Sequence, residues 1–235
     1  SSRNWRSVAK EMGGNFQVHS LDLRNHGNSF HEQEASILEM SNDLLRYADH
    51  HDLPKFVLCG HSLGGKVAMR FACDYPDRLH SLVVADIAPR DYPREHHTPT
   101  LDALLSIDLG ELSSRKQADE QLADLIPNWA FRQFLLTNLT QHEDAFTWKA
   151  NIQVLRDSIG QLSSNPLTKP DCFHGPTLFI RGGTSGYLRS EHMPAILDHF
   201  PAAELVVLPN AGHDVHVEDR SGFLSALDKF LLIPR

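Results

Sequence analysis

Two periods of apolar positions alternate along this chain. Residues 55–59, Lys-Phe-Val-Leu-Cys, form a short run of strand formers, as expected of a strand buried in a parallel sheet. Residues 66–72 then place Val67, Ala68, Phe71 and Ala72 at helical spacing. Upstream, the pattern predicts a helix over 5–12, a strand over 16–23 and a polar turn over 22–29. An amphipathic helix follows over 37–47, with Ile37, Met40, Leu44 and Leu45 on one face. Downstream, 79–88 reads as a strand with Asp86 at its carboxyl end. Strands that alternate with helices in this way predict a parallel α/β sheet.

Between 91 and 169 the rhythm changes. No strand pattern stands out, and helical segments recur at 101–107, 114–126, 131–139 and 146–159. The α/β alternation resumes with a strand at 177–180, a helix at 191–200, a strand at 204–208 and a closing helix at 223–232. The expected organisation is therefore an α/β core from 1–90 and 170–235. A helical cap over 91–169 is expected at the carboxyl edge of the sheet, where such folds bind ligands.

Composition narrows the function classes. The chain has 235 residues and a net charge of −8, with no basic run. That balance argues against a nucleic-acid or anionic-membrane surface. No stretch approaches 18 apolar residues, so no membrane span is expected. The cysteines, Cys59, Cys73 and Cys172, are odd in number and form no C-x-x-C pair, which fits free thiols in a reducing, cytoplasmic compartment. Fifteen histidines are many. The pairs at 50–51 and 96–97 lack a cysteine or carboxylate at metal-ligand spacing, so no metal site is expected.

The chemistry concentrates in one pentapeptide, Gly60-His61-Ser62-Leu63-Gly64, lying between a predicted strand and a predicted helix. The pattern G-x-S-x-G in that context forces a tight reversal that projects the serine hydroxyl above the strand end. Side chains at 60 and 64 are expected to collide across the turn, which accounts for both glycines. The helix that starts there turns its positive end toward any oxyanion formed at Ser62. The plainer alternative is a strand-to-helix turn with a capping serine.

A serine hydroxyl needs a base within hydrogen-bond reach, and the base needs an orienting acid. His213 stands in the loop after the last strand, behind Gly212, which is expected to free the loop to aim it; His216 is the nearest rival. The turn at 181–187, after the penultimate strand, is the usual place for the acid and holds no carboxylate. Asp86 at the end of the strand after the nucleophile is the leading candidate, with Glu191 and Asp214 as alternatives. Ser185 then occupies the slot of the absent acid, within hydrogen-bonding range of His213 or Asp86.

These residues resemble the α/β-hydrolase superfamily and, more narrowly, the YbfF-type esterases of bacteria and their mitochondrial relatives among the abhydrolase-domain proteins. The resemblance is carried by Asp22-Leu23-Arg24-Asn25-His26-Gly27-Asn28-Ser29, by Gly60 to Lys66, by Ala85-Asp86-Ile87-Ala88-Pro89, by Gly182-Gly183-Thr184-Ser185 and by Gly212-His213. It covers nearly the whole chain, most weakly in the cap. It implies an α/β-hydrolase fold and a triad of Ser62, Asp86 and His213, supported by Ser185. It also implies an oxyanion hole that uses the Leu63 amide, and cofactor-free hydrolysis of small esters or acyl thioesters. In the family a strand ending in a His-Gly loop precedes the segment matching residues 1–5 and gives the second oxyanion donor. The resemblance thus implies that the chain starts after that strand, which would lie between 17–23 and 55–59. The 235 residues by themselves are then expected to be poorly folded and nearly inactive.

Three functions compete at this point. The first is a serine ester or thioester hydrolase acting on a small molecule. The second is another triad chemistry on the same fold: a C–C hydrolase, a lyase or a cofactor-free haloperoxidase. The third is a non-catalytic binder of small molecules. Serine rather than carboxylate at 62 argues against dehalogenase chemistry. The apolar residues Leu104, Leu105, Trp129, Phe131, Phe134 and Trp148 suit an acyl chain and equally suit an ordinary core.

Overall fold

The computed structural model describes residues 1–143 and 145–231. They form two compact units. One comprises Ser2–Leu21, Ile37–Asp91 and the chain from Ser164 on; the other comprises Ser1, Asp22–Ser36 and Tyr92–Ser163.

The first unit is built on four parallel strands, β1 (Phe56–His61), β2 (Leu79–Ala85), β5 (Thr177–Gly182) and β6 (Ala203–Leu208), paired in the order β1-β2-β5-β6. Strands β3 (Leu139–His142) and β4 (Ala145–Trp148) belong to the other unit. In β2 every residue but His80 is buried, the near-continuous apolar run of a strand covered on both faces. The side-chain period of two divides its residues between those faces. Val83 and Ala85 join Leu178 and Ile180 of β5 in one cluster, with Val8 and Met12 of α1 (Arg6–Met12) and Phe223, Leu227 and Phe230 of α11 (Arg220–Leu231). Val84 turns to the opposite face, toward α3 (Leu63–Asp74), which packs in turn on α2 (Ile37–His50). Phe179 of β5 meets Phe200, just past α9 (Met193–His199), with ring centroids 5.7 Å apart. Between β6 and α11 lies one short helical turn, α10 (Val215–Glu218).

Helix α3 is tethered at its solvent end. Arg70 donates to both oxygens of Asp171, at 2.7 and 3.0 Å, and to the Pro166 carbonyl. That guanidinium holds the Asp171 carboxyl well below the usual carboxylate range. Lys66 is buried and its Nζ donates to the Ser164 carbonyl at 2.6 Å. Burial pushes its ammonium down to about 8.

The expected strand at 16–23 does not form. Residues 17–23 belong to no ladder, and β1 pairs with β2 alone among the described residues. A pattern of strand formers becomes a strand only where a neighbour takes up its N–H and C=O groups, and none does so here. The closing helix begins three residues earlier than expected, at Arg220, and Leu232 lies outside the described residues.

The second unit contains α4 (Thr98–Leu105), α5 (Arg115–Leu122), α6 (Trp129–Leu136), α7 (Ile152–Asp157) and α8 (Ile159–Ser163). It also contains an antiparallel hairpin, β3 (Leu139–His142) with β4 (Ala145–Trp148), in register Leu139 to Trp148 and Thr140 to Thr147. The expectation of helices alone over this stretch is corrected there: the helix placed at 146–159 is a strand up to Trp148 and becomes helical only at Ile152. Phe146, Thr147 and Trp148 favour a pleated surface once a partner strand is beside them. Arg132, nearly buried, ties α6 to α5 through Asp119 at 2.8 Å. The segment 22–36 is fixed to this unit by the Asn151 amide on the Asn25 carbonyl and by His31 Nε2 on the Lys149 carbonyl. Asn25 and Gly27 take positive φ of 63° and 57°, and a Cβ at 27 would come within 2.3 Å of the Asp22 carboxylate. Of the apolar residues suited to an acyl chain, Leu104 is core, whereas Trp129, Phe131 and Phe134 are exposed on α6.

Among the described residues no helix is long and apolar enough to cross a membrane, and no group of side chains could hold a metal ion.

Candidate active site

The reversal between β1 and α3 concentrates strain at Ser62. Its φ of 54° and ψ of −119° lie in a region that L-residues seldom adopt, at a cost of roughly 1–3 kcal/mol. Two backbone bonds hold it there: Ser62 N–H to the Ala85 carbonyl, and Lys66 N–H to the Ser62 carbonyl, both 3.1 Å. The two flanking glycines are not equivalent, contrary to the expectation that both avoid a collision. A Cβ at 60 would sit 2.2 Å from the Gly64 carbonyl oxygen, but a Cβ at 64 meets nothing within 4 Å. The second demanding position is Gly65, where a Cβ would lie 2.5 Å from Ile87 Cγ2. Close packing of the helix start on Ile87, in the segment that follows β2, rather than the turn itself, requires that glycine.

Asp86 terminates β2, also with positive φ (48°), and is completely buried. Three donors converge on its carboxylate. Gly182 N–H reaches Oδ1 at 2.9 Å, while the Ser185 hydroxyl and His213 Nδ1 both donate to Oδ2, the latter at 2.9 Å. Such donors offset the desolvation of a buried charge. Since a carboxylate oxygen only accepts, the Nδ1 of His213 carries the proton. Its Nε2 then holds a lone pair and accepts from Ser62 Oγ at 3.0 Å. The ring is sandwiched further by Tyr187, stacked at 3.9 Å and 23°. Ser185 is itself aimed by the Tyr187 amide, which donates to its Oγ at 3.1 Å.

The rival residues stand elsewhere. Glu191 is exposed and pairs with Arg189. The exposed Asp214 carboxylate lies 3.9 Å from His61 rather than on His213. His216 is 3% exposed, stacks on Trp5 at 4.4 Å, and neither ring nitrogen finds a hydrogen-bond partner among the described residues. Cys59, three residues before Ser62, is no competing nucleophile, because burial pushes its thiol up to about 12.

Three residues had no such role in the sequence: Tyr187, His61 and Glu218. Tyr187 supplies the stacking surface. His61, counted there only as part of the turn, donates from Nε2 to the His213 carbonyl at 2.8 Å. Glu218 accepts from the amides of Gly212 and Asp214. Gly212 does not take a left-handed conformation, so it does not aim the loop by backbone freedom. A Cβ at 212 would instead lie 2.9 Å from Glu218 Oε2, while the close backbone approach to the Gly212 carbonyl is what requires glycine at 182, where a Cβ would lie 1.9 Å from that oxygen. No spacing rule marks any of these, since each is defined by a contact across the fold.

Arrayed in this way, the site can carry a proton from Ser62 Oγ to His213 while Asp86 balances the resulting imidazolium. Leu63 is the first residue of α3, so its amide has no acceptor within the helix and faces the same end as the helix's positive pole.

Two histidines pack beside this line, His61 partly buried and His216 buried, and are expected to make the fold acid-sensitive. Burial lowers the pKa of His216 to about 3, reinforced by His61; burial, then His213, lowers that of His61. Unfolded histidine titrates near 6.5. Both groups therefore bind protons more readily unfolded, so their stabilising effect is complete above about pH 6.5 and is lost as pH falls below it. With both unprotonated in the fold, unfolding free energy should drop by up to about 2.7 kcal/mol per pH unit just below that window. Urea unfolding between pH 7.5 and 5 should show this fall, and His216→Phe should reduce it by up to about 1.4 kcal/mol per pH unit. An identical slope in the variant would exclude His216 as the source.

Residues 1–220 match the alpha/beta hydrolase fold family. The chain is 37% identical over 238 residues to the sn-1-specific diacylglycerol lipase ABHD11 of Mus musculus, covering 98% of this chain and 77% of that protein. It is 30% identical over 224 residues to Esterase YbfF of Escherichia coli K12, covering 95% of this chain and 86% of that one. Among solved structures, a marine microorganism esterase superposes with a TM-score of 0.94 at 36% identity, covering 98% of this chain and 90% of the other. On sequence and architecture together, the chain belongs to the alpha/beta hydrolase fold family.

Proposed function

We propose that this protein is a serine esterase that cleaves carboxylic esters, or acyl thioesters, through Ser62, His213 and Asp86. The observation that carries the reading is the continuous hydrogen-bonded line from Ser62 Oγ through His213 to the buried Asp86, set at the start of α3. Names of relatives support the same reading: one is a diacylglycerol lipase and two are esterases.

In this reaction Ser62 Oγ attacks the substrate carbonyl carbon as its proton passes to His213 Nε2. The tetrahedral oxyanion forms near the Leu63 amide, where a preorganised donor is worth about 10²–10³ in kcat. Collapse breaks the ester C–O or thioester C–S bond, and His213 returns the proton to the departing alcohol or thiol. Water then repeats the sequence on the acyl-enzyme, with His213 taking its proton, and releases the acid and free Ser62.

A fluorophosphonate probe should label the intact protein at one serine, Ser62, identified by peptide mass spectrometry. The same protein should turn over p-nitrophenyl esters with a burst of p-nitrophenol. A series of acyl chain lengths, each as ester and as thioester, would define the preferred acyl and leaving groups. Folded protein that neither takes the probe nor hydrolyses any member of the series would overturn the proposal and favour a binding module.

A further inference from the structure

Placing an imidazole within 3.0 Å of a serine and 2.9 Å of a carboxylate demands that its backbone be held. His213 sits in a loop, which helical or sheet hydrogen bonding does not fix. The loop is gripped by side chains instead. Glu218 accepts from two amides, Gly212 N–H on Oε2 at 2.9 Å and Asp214 N–H on Oε1 at 3.0 Å. His61 donates to the carbonyl between them, that of His213, at 2.8 Å. Three backbone groups, one from each of residues 212, 213 and 214, are thus claimed by two side chains from different elements.

The grip is anchored at both ends. Glu218 closes α10, and its own amide donates back to the Asp214 carbonyl at 2.9 Å. Val215 within that turn is fully buried in the cluster with α11. His61 ends β1, directly before Ser62, so the nucleophile and the histidine loop share a frame. Glycine at 212 leaves room for the carboxylate: a Cβ there would be 2.9 Å from Glu218 Oε2.

We infer that Glu218 is a positioning residue for the proposed general base: by bridging the amides on either side of His213 it fixes the loop that presents Nε2 to Ser62. This rests on the hydrolase reading above. Glu218 touches neither the imidazole nor the reacting atoms, so its removal should disturb alignment rather than chemistry. Because it is exposed, truncation leaves no large cavity, and the buried Val215 keeps the turn in place.

The test compares Glu218→Ala, Glu218→Gln and Ser62→Ala with the intact wild-type protein on p-nitrophenyl acetate, with thermal unfolding to verify folding. A misplacement near 1 Å costs about 10²-fold, so Glu218→Ala should lower kcat by about that factor with KM unchanged. Glu218→Gln should fall between the two, because its side-chain oxygen still accepts one of the amides. Fluorophosphonate labelling should slow in the same order. If Glu218→Ala does not fold, the glutamine variant carries the comparison. Should Ser62→Ala be inactive while the Glu218 variants keep wild-type kcat, or lose activity through KM alone, the clamp is wrong and the hydrolase reading stands. Should Ser62→Ala keep wild-type turnover, the hydrolase reading fails and the inference with it.

Discussion

Replacing Ser62 by alanine in the intact protein is expected to lower kcat for a p-nitrophenyl ester by about 10⁴-fold or more. The change deletes one oxygen atom. It removes the nucleophile and the proton donor to His213 Nε2 together, so acyl transfer has no covalent route. What remains is substrate binding and electrostatic help from the start of α3, which account for a residual 10³–10⁴-fold over water in triad enzymes by rough precedent. The fold should survive. The strained φ of 54° at this position is imposed by the bonds to Ala85 and from Lys66, and alanine can make both because they use backbone atoms. KM should therefore change little and Tm should hold. Wild-type turnover in a folded Ser62→Ala variant would remove Ser62 from the mechanism.

Asp86→Asn is expected to cost about 10³–10⁴ in kcat, by analogy with the triad case in which the wrong imidazole tautomer is favoured. The hydrogen bonds of the site say why. Gly182 N–H needs an acceptor at the Oδ1 position, which the asparagine oxygen can supply. The asparagine NH2 then takes the Oδ2 position, facing Ser185 and His213 Nδ1, where the carboxylate accepts both. An N–H directed at Nδ1 favours the tautomer with the proton on Nε2. That proton points at Ser62 Oγ, and the base can no longer accept. Ser185→Ala removes only one donor to the same oxygen and should cost about tenfold, one hydrogen bond's worth. Glu191→Gln should leave kcat unchanged, because that carboxylate is exposed beside Arg189. Steady-state kinetics on the three variants decide between the acids. A crippled Glu191→Gln with a tolerated Asp86→Asn would transfer the role to Glu191.

How much of this was legible in the residues depends on the range of the interaction involved. The reversal at Ser62 is local: a run of strand formers, five residues and a helical repeat define it, and β1 and α3 form where those periods change. The parallel sheet is legible for a similar reason, since the short run of 79–85, rich in valine and leucine and set between helical repeats, suits a strand covered on both faces. Asp86 could be singled out because the 181–187 turn holds no carboxylate, but only the fold brings it onto Nδ1 of His213 and sets Glu191 and Asp214 aside. That choice turns on how β2 and β5 lie side by side, through Asp86 N–H on the Ile180 carbonyl at 2.8 Å.

Where pairing decides, the residues alone mislead. The segment 17–23 has the side chains of a strand without a ladder, and 145–148 has a ladder that its four residues could not announce. The glycines divide along the same line. Gly60 answers to a neighbour four residues away, so the turn motif predicts it. Gly65 answers to Ile87, Gly182 to the Gly212 carbonyl and Gly212 to Glu218, and their reason exists only once the chain has folded. The same holds for Tyr187 on His213, His61 on its carbonyl and Glu218 on its flanking amides. Local periodicity places Ser62 at the start of a helix. Contacts between residues distant in sequence, made by the packed sheet and its loops, place the imidazole within 3.0 Å of it.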